Sequence, residues 1–142
     1  MVRRFLVLLL AASAAVLAAG AASAAPRRCP TRTIGPGSLH RGGTKGAACV
    51  LTAFSNGCKP VEYLLSSFGV DTAATEDFRV ERRAGTCDVV VITSFRVVPQ
   101  TPHVFPPRTC RRVRRVGTDV VAERCTAGTA GEPAAISLID LR

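Results

Sequence analysis

All six cysteines of the 142-residue chain (Cys29, Cys49, Cys58, Cys87, Cys110 and Cys125) lie beyond an N-terminal stretch patterned like a secretory signal peptide. Arg3 and Arg4 form a basic start, the apolar run FLVLLLAASAAVLA follows from Phe5, and Ala22-Ser23-Ala24 offers a small-x-small cleavage site. The cut is expected after Ala24, because cleaving one residue later would set Pro26 beside the scissile bond. Left uncut, the stretch would barely span a bilayer, and its second half is mostly alanine. An even cysteine count in a short exported chain reads as three disulfides formed in an oxidising compartment. Zinc is a poor alternative, since there is no Cys-x-x-Cys pair and the histidines are only His40 and His103. The expected location is therefore secreted or extracellular, with no transmembrane segment after cleavage.

Losing 24 of 142 residues leaves 118, enough for one domain with a core that the bridges reinforce. Two of the 19 Lys+Arg go with the leader and none of the ten acids, so the mature net charge is +7. Lysine occurs only twice, beside heavy use of Ala and Arg, a bias that suggests a GC-rich, bacterial source.

Residues 25–43 are rich in Gly, Pro and Arg without an apolar period and read as an irregular basic arm. Residues 44–142 form a single disulfide-stapled domain. Within it, KGAACVLTAFSNG (45–57) places Ala47, Val50, Leu51 and Phe54 on one helical stripe, with Thr44 as the N-cap and Asn56-Gly57 as the stop. A strand-prone stretch follows over 61–71, then a loop over 72–76. DFRVERR (77–83) alternates, and CDVVVITSFRVV (87–98) is the longest strand, apolar on both faces and so central. Residues 99–107 carry four prolines and read as a stiff unpaired loop. Strands are expected at 109–116, 119–125 and from Ala134 or Ala135 to Leu141, with a polar turn through Gly128, Gly131 and Pro133 before the last. This order predicts an α+β domain: one short N-terminal helix packed on an antiparallel meander sheet, with three disulfides. Without the helix, the same strands would build an all-β sandwich or open barrel.

The sharpest local expectation comes from CRRVRRVGTDVVAERC (110–125). With Gly117-Thr118 as a two-residue type II′ loop, Val116 faces Asp119, Arg114 faces Val121, Arg112 faces Glu123 and Cys110 faces Cys125. Directly opposed cysteines fall within disulfide reach. Arg111 would face Arg124, a repulsive pair, while Val113, Val120 and Ala122 would point inward. Three pairings are open to the remaining cysteines. Cys49 and Cys58 would stand about 13 Å apart along a continuous helix, so we favour Cys58–Cys87 with Cys29–Cys49.

Two non-catalytic readings follow. Arg111, Arg112, Arg114, Arg115 and Arg124 would make the hairpin an anion-binding ribbon for an anionic envelope polymer or other extracellular component. Alternatively, the loop 99–107, with Pro99, Gln100, His103 and Phe105, would serve an exported inhibitor or protein-recognition module whose partner is another extracellular protein. Nucleic acid is an unlikely partner for an exported chain with one tyrosine and no tryptophan on which bases could stack. No catalytic constellation, metal-ligand spacing or phosphate loop is present in the sequence, so neither enzyme activity nor a cofactor is expected, and the residues assign no oligomeric state.

Overall fold

A computed structural model of the chain describes residues 25–37, 41–126 and 133–141. The proposed signal peptide, His40 and the turn glycines Gly128 and Gly131 lie outside these residues. The elements are β1 (Arg27–Arg28), β2 (Arg32–Ile34), α1 (Lys45–Ser55), β3 (Val61–Phe68), β4 (Thr72–Arg83), β5 (Thr86–Val97), β6 (His103–Val104), β7 (Arg108–Val116), β8 (Asp119–Cys125) and β9 (Ala135–Ser137). They form one sheet in the order β1-β3-β4-β5-β7-β8-β9, with β2 beside β3 and β6 beside β5. Among the described residues a single helix lies on one face of this sheet, which fits a small α+β or sheet-rich fold.

The sheet is mixed, which corrects the antiparallel meander. From β3 onward the pairings are antiparallel, but β1 and β2 run parallel to β3. The stretch 25–43 is thus not irregular throughout. The Cys29–Cys49 bridge ties it to α1, and Cys29 N–H donates to the Glu62 carbonyl at 2.7 Å, so it lies along the β3 edge. Strands of two or three residues are too short to leave a period in sequence.

Three further boundaries differ from expectation. Residues 72–76 are strand: β4 pairs with β5 over twelve positions from Thr72↔Val97 to Arg83↔Thr86, and Thr75 and Ser94 share a 2.7 Å hydroxyl hydrogen bond. Tertiary pairing overrides the weak strand propensity of Ala73 and Ala74. In the proline loop, His103 and Val104 pair with Phe95 and Ser94, because the prolines flank this dipeptide and leave its N–H groups intact. The last strand ends at Ser137, whose Oγ accepts from Ile139 N–H at 3.1 Å and Asp140 N–H at 3.0 Å and so turns the chain. Thr44 precedes α1 but makes no side-chain cap; its φ and ψ of −80° and 2° are not the extended geometry a cap needs.

The core lies between α1 and the sheet. Ala47, Val50 and Ala53 of the helix meet Val61, Tyr63, Leu65, Phe78, Val80, Val89 and Val91, with Val120, Ala122, Ile136 and Leu138 continuing it. Tyr63 is its hub. Its ring stacks on Phe78 with centroids 5.7 Å apart, and its hydroxyl donates to the Leu138 carbonyl at 2.9 Å. A Cβ on Gly46 would stand 2.2 Å from Tyr63 Cε2 and 2.1 Å from the Pro30 carbonyl oxygen, so only glycine allows this approach. The structure pairs Cys29–Cys49, Cys58–Cys87 and Cys110–Cys125, with Cα separations of 5.8, 5.5 and 3.8 Å.

Gly46→Ala should lower the unfolding free energy by about 2 kcal/mol or more, because the methyl must displace backbone or the core tyrosine; chemical denaturation checks this. Replacing both Cys110 and Cys125 by Ser should cost about 3 kcal/mol, the chain-entropy value for a loop of this length, read from the shift in denaturation midpoint.

Candidate functional site

The hairpin forms in the predicted register. Gly117 has φ of 59° while Thr118 is not among the positive-φ residues, as in a II′ turn. Val116↔Asp119, Arg114↔Val121, Arg112↔Glu123 and Cys110↔Cys125 are partners, and Val113, Val120 and Ala122 are buried.

Two details of the ribbon depart from expectation. Glu123 is held more closely by its diagonal neighbour than by its opposite one. Arg114 approaches at 2.7 Å and also donates through Nε at 2.8 Å, whereas Arg112 Nε stands 3.8 Å away. The Arg114 hydrogen bond holds the Glu123 carboxyl below the usual carboxylate range. The Arg111–Arg124 pair does not form. The ladder skips it, and Arg124 takes a left-handed φ of 54°. Cys110 and Val113, three apart and so on opposite faces of a regular strand, are both buried. The strands therefore change face at this point, which separates two like charges that a regular ladder would oppose. Arg111, Arg115 and Arg124 are exposed and have no ion pair among the described residues.

The second predicted site lies at the other end of the sheet. Pro99, Gln100 and His103 are exposed and Phe105 is half-buried. The His103 and Phe105 rings meet edge to face at 4.7 Å, and Phe105 N–H donates to the Thr93 carbonyl at 2.9 Å. Because β7 leaves β5 opposite Val89 while β6 pairs at Phe95, hairpin tip and proline loop point in opposite directions and do not form one surface.

A third region is invisible in the sequence. Glu76 and Thr93 are cross-strand partners on the helix-bearing face, one row beyond Phe78 and Val91. They line a cleft of about 470 Å³ together with Arg108, Asp119, Ser137 and Asp140. They also line an adjoining one of about 380 Å³ walled by Ala74, Phe95, Phe105 and Leu141. Burial pushes the Glu76 carboxyl up to about 7, against the opposing pull of Arg108, and its Oε2 is sealed from water without a hydrogen-bond donor. Arg108 is buried, and its guanidinium donates to the carbonyls of Thr126, at 3.2 Å, and Pro133. The roomier cleft of about 660 Å³ on the opposite face has its charges paired internally, with Arg79 to Glu62 at 3.7 Å and Arg83 to Glu81 at 2.8 Å. Among the described residues no three His, Cys, Asp or Glu side chains are grouped to hold a metal ion, and no helix is long and apolar enough to cross a membrane.

No protein-family model, curated protein or solved structure matches the chain.

The raised Glu76 carboxyl gives stability a defined pH dependence. The folded state holds this proton to about pH 7, whereas the unfolded chain releases it near 4.5. The stabilising contribution is therefore complete below pH 4.5 and is lost as pH rises through 7. Glu76→Gln should match wild type near pH 5 and exceed it at pH 8 by about 1–3 kcal/mol, measured by urea unfolding at both values.

Proposed function

We propose that this chain is an exported, non-catalytic binding domain that meets an anionic extracellular or cell-envelope polymer through the β7–β8 hairpin. Three disulfides among the described residues, and the lack there of a membrane-spanning helix, are consistent with an extracellular, non-membrane location. The observation that carries the reading is the unequal engagement of the ribbon's five arginines. Arg112 and Arg114 share the Glu123 carboxylate, while Arg111, Arg115 and Arg124 extend to solvent with no ion pair among the described residues. The turn and the Cys110–Cys125 bridge fix the backbone that carries them. Guanidinium groups on a fixed frame suit sulfate, phosphate or carboxylate, because each fork donates two parallel hydrogen bonds. Pre-ordering the frame also lowers the entropy lost on binding.

A second reading has its own observation. Val98 and Val104 are 52% and 59% exposed around the proline loop, with Phe95 at 41% on the adjoining strand end. Such a cluster on a pre-ordered loop fits an inhibitor or recognition module for another extracellular protein. A partner recovered from culture medium by the intact chain should be lost when residues 99–107 are replaced by a Gly/Ser linker, and recovery of the same partner refutes this reading.

The ribbon is tested on an immobilised dextran sulfate column across a salt series. Substituting Arg111, Arg115 and Arg124 together by Gln should lower the elution salt and reduce the log–log salt slope by roughly one for each arginine that engages the polymer. The same charge change at Arg27, Arg28 and Arg96 should have a much smaller effect. Equal losses in the two variants would assign retention to net charge and overturn the ribbon.

A further inference from the structure

We propose that the joined clefts around Glu76 form a binding site for a small organic amine with an apolar body, its ammonium group directed at the carboxylates and its body lying against Phe95, Phe105 and Leu141. This site is separate from the hairpin and shares Phe95 and Phe105 with the region of the proline loop.

The first argument is the distribution of charge. Cations outnumber acids 19 to 10 in this chain. Glu62, Asp77, Glu81 and Glu123 all sit within ion-pair distance of arginines. Among the described residues Asp71, Glu76, Asp88, Asp119 and Asp140 do not, and three of those five, Glu76, Asp119 and Asp140, line one cleft. Its single arginine, Arg108, donates to two carbonyls. Among the described residues the cleft thus has three carboxyl groups to one guanidinium, the reverse of the balance in the whole chain.

The second argument is shape. Among the described residues the three carboxylates do not group closely enough to share a metal ion. Glu76 and Thr93 belong to both clefts and sit between a polar end and an apolar one. The polar end offers Asp119, whose Oδ1 accepts from Ser137 Oγ at 3.0 Å and from Val120 N–H at 2.7 Å, so this oxygen is already oriented. The apolar end offers Ala74, Phe95, Phe105 and Leu141. Each cleft is of the size that holds a small organic molecule, with few polar groups and an apolar remainder.

The third argument is the state of the carboxyl. Glu76 has a sealed oxygen with no donor and a proton that persists to about pH 7. A bound ammonium would favour the ionised form. The groups around it from the packed elements are Arg32 on β2, Tyr63 on β3, Thr93 on β5, Arg108 on β7, Asp119 on β8, and Ser137 and Asp140 on the C-terminal segment. From α1 the buried residues are Gly46, Ala47, Val50 and Ala53, none of which titrates. As Glu76 loses its proton through about pH 7, amine affinity should rise.

The experiment titrates the full mature chain, followed by heteronuclear NMR, with three probes of one shape: 2-phenylethylammonium, 2-phenylethanol and 3-phenylpropionate. The amine should bind with a dissociation constant of about 1–10 mM, shifting the amides of Glu76, Thr93, Phe105 and Leu141. The alcohol and the carboxylate should bind at least about fivefold more weakly, a difference of one charge-assisted hydrogen bond. Affinity for the amine should fall about tenfold from pH 8 to pH 6 as Glu76 takes up its proton. Glu76→Gln should abolish both the amine preference and the pH dependence. As a readout that needs no variant, the Glu76 carboxyl carbon shift should report a lower midpoint in the presence of the amine and an unchanged one with the alcohol. The proposal is overturned if the alcohol binds as well as the amine, if the carboxyl midpoint does not move, or if the shifted amides lie elsewhere.

Discussion

Tyr63 is the point at which the parts of this fold are held together. Its ring edge receives α1 at Gly46, its face stacks on Phe78 of β4, and its hydroxyl carries the backbone of Leu138 from the C-terminal segment. The side chain is 1% exposed, and burial pushes the phenol up to about 12. The hydroxyl therefore remains a donor at physiological pH. Fully burying a ring of this size contributes about 2–3 kcal/mol, and the hydrogen bond satisfies the polar atom that comes with it. A phenylalanine would keep the packing and leave the Leu138 carbonyl without its partner. A helix carrying any residue larger than glycine at position 46 could not reach the sheet at this distance. The Cys29–Cys49 bridge then secures the arm against the helix that Tyr63 has positioned.

The arginine-rich hairpin shows how a strand tolerates a dense run of one charge. Three devices act together. Glu123 engages two guanidinium groups, from the opposite and the diagonal position. The change of face near Arg111 and Arg124 removes a like-charge pair from the ladder. Val113, Val120 and Ala122 provide the buried surface that keeps the ribbon on the core. What is left over is a set of guanidinium groups facing water, which also discourages pairing between the edges of different molecules.

Much of this architecture can be read from residue order, and the unread part has physical causes. The hairpin is legible because a Gly-Thr turn sets its own register, and every cross-strand pair down to the cysteines follows from that one choice. The helix is legible from its apolar stripe and its Asn-Gly stop. The strands β1 and β2 are not, since two or three residues cannot show a period and their pairing depends on a distant bridge. The start of β4 reads as a loop because Ala73 and Ala74 give no strand signal, and β5 supplies the partner that makes it one. The same ambiguity conceals Glu76. A lone glutamate in a loop carries no information, whereas at a known register it stands opposite Thr93 on the covered face. The signal that would find it is parity, because Glu76 is two residues before Phe78 and four before Val80, both of which the alternation turns inward.

The three bridges close the segments 29–49, 58–87 and 110–125, and the C-terminal residues 133–141 lie outside all of them. The floor and the wall of the Glu76 clefts are therefore fastened by different chemistry. The floor, β4 and β5, is tied by sulfur to the exit of α1. The wall, from Ala135 to Leu141, is held by ladder pairing with β8, by the bond from Leu138 N–H to the Val120 carbonyl and by the tyrosine hydroxyl. The tail carries no covalent link of its own, so its place over the acidic hollow rests on backbone pairing and on the burial of Ile136 and Leu138, whereas the frame beneath it is crosslinked.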